Sequence, residues 1–115
     1  FWQRFGTKYG YDPDAAEAAP ARMAEILRAL GARLEGQKAE GSNLFIGDRL
    51  SALDIYWATS AGIVQPLSPE LCPMATAFRA LYTEKDPAIR SLVSPALFEH
   101  RDLVYREYLE LPIVF

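Results

Sequence analysis

Apolar residues along this chain recur at helical intervals, and no segment of useful length alternates as a half-buried strand does. Between Asp12 and Lys38, Met23, Ile26, Leu27, Leu30 and Leu34 fall on one helical face, while Arg22, Glu25, Arg28, Arg33 and Glu35 take up the remainder. Asp12 and Asp14 flank Pro13 and supply the chemistry of a helix start. Pro20 lacks an amide hydrogen and crowds the preceding turn, so it predicts a true start, or a kink, near Ala18 or Ala19. Gly36 and then Gly41-Ser42-Asn43 end the helix, and Leu44-Phe45-Ile46 leads through Gly47-Asp48 into the next element. That connector is too short to divide domains.

Ser51 stands three residues before Asp54, with Leu50 just outside and Ile55 one turn inside. This is the pattern of a capping box with a hydrophobic staple, in which Ser51 and Asp54 satisfy each other's backbone amides while Leu50 packs on Ile55. The following residues, Leu53 and Ile55 to Ala58, then Ala61, Ile63 and Val64, are interrupted only by Thr59 and Ser60. Such a helix is apolar nearly all round and is expected to run through the middle of the core. After Gln65-Pro66 a proline-rich loop extends to Pro73, which reads as the first residue of a helix reaching about Tyr82. Asp86-Pro87 begins a further short turn. Ser94-Pro95 repeats the cap-then-proline signature with Val93 and Phe98 as a second staple, and Leu97, Val104, Tyr108 and Leu111 mark the buried side of a last helix that Pro112 stops. The expected fold is all-α, a single helical bundle over residues 1–115.

Composition narrows the function classes. Half the residues are hydrophobic and 23% are charged, with a formal net charge of -3, so there is no broad basic surface to attract nucleic acid or anionic lipid. No apolar run approaches the ~20 residues of a membrane span, and nothing resembles a signal peptide, which makes a cytoplasmic location the expectation. Cys72 is the only cysteine and cannot form an internal disulfide. With one histidine beside it, no metal-ligand set is expected. The aromatic start Phe1-Trp2-Gln3-Arg4-Phe5, without an initiator methionine, reads as part of a longer protein.

Few residues are candidates for chemistry. Ser51 and Asp54 have the spacing of a helix cap and are expected to stabilise rather than react. The aromatic group of Trp2, Phe5 and Tyr9, with Phe1 and Tyr11, suits either a hydrophobic ligand site or packing in the core or against another domain. Cys72 before Pro73 would lie near a helix start, where the helix dipole lowers a thiol pKa, although a lone cysteine between Leu71 and Pro73 is more often buried packing. His100-Arg101-Asp102 has the letters of a kinase catalytic loop, but Glu107 stands where asparagine is needed and no glycine-rich phosphate loop is present. These three are expected to cap or pair along the last helix. No catalytic residue is assigned.

The stretch Asn43-Leu44-Phe45-Ile46-Gly47-Asp48-Arg49-Leu50-Ser51-Ala52-Leu53-Asp54-Ile55 resembles the segment that introduces the central helix of the C-terminal domain in cytosolic glutathione transferases. In that family an aromatic residue, an apolar residue and a glycine precede a serine or threonine and, three positions on, an aspartate. The resemblance extends to the helix before it and the helical segments after it, and so covers nearly the whole chain. Leu53 departs from it, since the family usually has alanine there, which bears on how closely that helix packs.

The resemblance implies a bundle of the glutathione transferase C-terminal type and a division of labour. A thioredoxin-like N-terminal domain, absent from this chain, would bind glutathione as co-substrate and activate its thiol. The helical domain would wall the site of an apolar electrophile and contribute to a homodimer. Trp2, Phe5 and Tyr9 would belong to that wall, because the corresponding end of the domain's first helix often does in the family. Ile113-Val114-Phe115 would fold over it as a lid, or else pack as core. The full-length activity implied is conjugation of glutathione to an apolar electrophile, with this chain alone inactive. The other implied role is a non-catalytic interaction module, as such domains serve in translation and synthetase complexes.

Overall fold

A computed structural model describes residues 2–114, with side chains from Gln3 onward. Among the described residues there are helices and no strands: α1 (Trp2–Tyr9), α2 (Pro13–Ala39), α3 (Ala52–Ser60), α4 (Thr76–Leu81), α5 (Pro87–Leu92) and α6 (Pro95–Tyr108). The fold is all-α.

The longest helix, α2, begins earlier than Pro20 suggested. Asp12 is its N-cap, accepting from the amides of Asp14 at 2.9 Å and Ala15 at 3.4 Å, and Pro13 occupies the first turn, where its missing N–H is no loss. The helix then continues through Pro20, which lies exposed. The aspartate cap and the burial of Ala24, Leu27 and Leu34 outweigh the local cost of the proline. Beyond Ala39 the chain turns at Gly41, whose φ of 87° suits glycine. Gln37, buried near the end of α2, donates to the carbonyls of Leu44 at 3.0 Å and Gly47 at 2.8 Å. Arg33 donates to the carbonyl of Phe45 at 2.7 Å. Two side chains of one helix thus shape the connector that leads to the next.

Only one side of α3 is covered, contrary to the burial all round that its composition predicted. Asp54, Trp57 and Ala58 are buried, whereas Tyr56 is 68% exposed and Ile63, in the 3-10 turn that follows over Ala61–Ile63, is 61% exposed. The helix has neighbours on the α6 side and an open flank on the other. Trp57 ties α3 to α6 by donating from Nε1 to the carbonyl of Leu97 at 2.9 Å. The core gathers Leu27 and Leu34 of α2, Phe45 of the connector, Trp57 and Ala61, Ile89 of α5, and Leu97 of α6.

The proline-rich segment also departs from expectation. Pro73 does not open a helix; α4 starts at Thr76 after an uncapped Ala75. Arg79 explains why the preceding loop holds an irregular path, since its guanidinium donates to the carbonyls of Leu67 at 2.8 Å and Cys72 at 2.6 Å. Asp86 caps α5 through the amide of Ala88 at 2.9 Å. α6 ends at Tyr108, before the cis Leu111–Pro112 bond. Of its predicted buried side, Leu97 and Val104 are buried, but Tyr108 is half exposed and His100 and Arg101 are inside instead.

Candidate functional site

Among the described residues, the carboxylate of Asp54 gathers the most side-chain hydrogen bonds. Ser51 is the N-cap of α3, and the capping box with Asp54 is formed. Its short bonds converge on Asp54 Oδ2, which accepts from the Ser51 amide at 2.8 Å and the Ser51 hydroxyl at 2.7 Å. The other oxygen, Oδ1, accepts from the Phe45 amide at 2.9 Å and lies 2.7 Å from His100 Nε2 of α6. Both side chains of that last pair are wholly buried, and the imidazole also stacks obliquely on Phe45 with ring centroids 4.3 Å apart.

Protonation follows from these contacts. Burial by itself would raise the Asp54 carboxyl, but the bonds from Phe45, Ser51 and His100 together outweigh it and hold the group below its ordinary 3.8. For His100, burial dominates and Lys38 adds to it, so the imidazole sits below its ordinary 6.5 despite the attraction of Asp54. At neutral pH the pair is therefore a carboxylate and a neutral imidazole whose Nε2–H donates to it. His100 Nδ1 is buried with no partner among the described residues. Sequence reasoning read Asp54 as half of a cap and placed the bonds of His100 along its own helix. The link between them spans 46 residues, and no local spacing signals it.

The Asp54 and His100 side chains are sealed from solvent, so the pair anchors the fold and does not offer a reactive surface. The open feature is an apolar groove of about 780 Å3 between the first half of α2 and the outer flank of α3 with its 3-10 turn. Met23, Ile26 and Leu30 form one wall, and Leu53, Tyr56 and Ile63 the other. The one charged residue lining it, Arg22, is paired with Glu25 at 3.0 Å. A groove so built can shelter an apolar ligand or surface from water, but it holds no nucleophile with an adjacent base.

Phe5 and Tyr9, expected in a ligand wall with Trp2, lie outside this groove. Phe5 and Tyr9 stack on one another in α1 with centroids 4.6 Å apart, are 48% and 64% exposed, and do not line the groove. Trp2 lies in α1, its side chain outside the described part, as is Phe1. α1 is joined to α2 by a tight turn at Gly10 (φ 70°), in which Tyr11 N donates to Gly6 O at 2.8 Å. That turn sets the direction in which α1 leaves α2. In the tail, Ile113 donates its amide to the carbonyl of Leu71 at 2.8 Å and Val114 is exposed, while Phe115 lies outside the described residues.

Cys72 is buried and sits in the loop before α4, outside the first turn that begins at Thr76. Arg101 pairs with Asp102 at 2.8 Å, and it also donates to the carbonyl of Gln65 at 2.7 Å, tying α6 to the end of the α3 segment. Among the described residues no three His, Cys, Asp or Glu side chains gather as a metal site would require, and no helix is long and apolar enough to cross a membrane. Compared with protein-family models, curated proteins and solved structures, the chain finds no match.

Proposed function

We propose that this chain is the helical, apolar-binding domain of a glutathione-transferase-like protein, with glutathione and its activated thiol handled by a thioredoxin-like domain outside residues 1–115. The observation that carries the proposal is the Asp54 knot. The segment 43–55, on which the resemblance to that family rests, is also the point where the connector, α3 and α6 are bonded together. A cytoplasmic homodimer is part of the same proposal. The α2/α3 groove, rather than Phe5 and Tyr9, is then the surface offered to an apolar co-substrate, since it is apolar and holds no nucleophile with an adjacent base. Full-length protein should conjugate glutathione to a generic aromatic electrophile, and residues 1–115 alone should show nothing above background. Activity in the isolated chain would overturn the division of labour.

A second role, a non-catalytic interaction module, is favoured by the form of the groove. It is an open trough with Ile26, Tyr56 and Ile63 largely exposed along it, a shape that suits a helix of another protein as well as a small molecule. Full-length protein that binds no glutathione and conjugates none, yet associates stably with another protein through this groove, would decide for the module.

A further inference from the structure

A second cavity, of about 220 Å3, lies between α3, the proline-rich loop and α6 beneath the C-terminal tail. Its walls are largely apolar, with Leu67, Met74 and Ile113 among them, and the tail is fixed over it by the bond from the Ile113 amide to Leu71. Polar side chains also enter the wall, notably Cys72, Arg101 and Tyr105. All three are hydrogen-bond donors. Burial, and then the neighbouring Cys72, raise the Tyr105 phenol above its ordinary 10.0 against the pull of Arg101, so its hydroxyl stays protonated at neutral pH. Among the described residues nothing accepts from that hydroxyl. Arg101 is buried and held rigidly, with Nε on Asp102, Nη1 on Gln65 and its guanidinium 4.9 Å over the Phe98 ring. Two of its five N–H donors are engaged, which leaves three.

We propose that this cavity binds a small monocarboxylate with a compact apolar body, its carboxylate accepting from Tyr105 and Arg101 and its body resting on Leu67, Met74 and Ile113. Donors left free in the wall suit an acceptor head, and a fixed guanidinium fork matches a planar carboxylate. The volume is below the roughly 300–1,000 Å3 of drug-sized sites, which restricts the body to a single ring or short branched chain. This site does not rest on the transferase proposal, and it borders the α2/α3 groove only at Ile63.

The protein's two methionines make the test site-specific, because Met74 lines this cavity and Met23 lines the groove. With methyl-labelled methionine in the 115-residue chain, cyclohexanecarboxylate should shift the Met74 methyl resonance saturably and leave that of Met23 unchanged. Tyr105→Phe should weaken binding about fivefold, the worth of one net hydrogen bond, without lowering the melting temperature. Cyclohexyl methyl ketone, a neutral isostere, should bind about tenfold more weakly than the carboxylate, since a bond between charged partners is the stronger. Shifts confined to Met23, no saturable shift at all, or equal binding by the Tyr105→Phe variant would each overturn the site. Equal binding of ketone and carboxylate would overturn its assignment to an anion.

Discussion

Asp54 accepts four hydrogen bonds from the connector, from its own helix start and from α6. Asp54→Ala leaves all four donors buried or half-buried without an acceptor, and the expected loss is about 3–5 kcal/mol. That is a large part of the total stability of a small domain. A strong fall in melting temperature and soluble yield is expected, and an unaltered melting temperature would remove Asp54 from its place in the fold. The His100 pair also dictates a pH dependence. The imidazole titrates below 6.5 when folded and near 6.5 when unfolded, so the unfolded chain binds the proton more readily. Stability is then fully present above 6.5 and falls as pH drops below it. Asp54, held below 3.8, adds a second loss at lower pH as the solution passes through its folded value. Thermal melts between pH 8 and 5 should show the first decline in the native protein. In His100→Gln, which starts from lower stability, the curve over that range should be flatter.

At the scale of elements, α2 carries residues that help the chain less than the alternatives would. Pro20 is exposed in its interior, where it removes one backbone hydrogen bond and crowds the preceding turn. Pro20→Ala should stabilise the protein by about 1–3 kcal/mol, the range set by the helix gain less the stiffness proline confers on the unfolded chain. Gly36 lies in the same helix, and a Cβ there meets nothing within 4 Å. Gly36→Ala should add about 0.5–1 kcal/mol. Chemical denaturation measures both, and a decrease in either case would show that the site needs the bend or freedom of the native residue. The start of α2 was legible in Asp12 and Pro13. The weight given to Pro20 was misplaced because local propensity does not include the packing of Leu27 and Leu34. A similar reason explains Pro73: proline in the first turn permits a helix without requiring one, and Arg79, reaching back from α4, fixes an irregular loop instead.

Taken whole, the molecule exposes along α2 and α3 an apolar trough of about 780 Å3, the kind of surface that can receive a ligand or a partner. Ile26→Glu with Ile63→Glu alters two residues that are largely exposed, so the melting temperature should change by no more than a few degrees. The same pair should abolish binding of an apolar dye and any self-association seen by sedimentation. Retained association would place the interface on another face.

The helical fold class, the cap at Ser51 and Asp54, the cap at Asp12 and the start of α6 could all be read from the chain. Each depends on residues within a few positions of one another, joined by backbone geometry that short spacing specifies. The tertiary structure alone decided what those elements do together. His100 was legible as a helical residue but not as the partner of Asp54, because α6 meets α3 only when both pack on the same core. Phe5 and Tyr9 were legible as an apolar cluster, yet they stack on each other outside the groove. Hydrophobicity specified that α3 would seek cover on every side. Which side obtains it depends on the elements beside it, and the flank left open is the surface from which this protein's function is proposed.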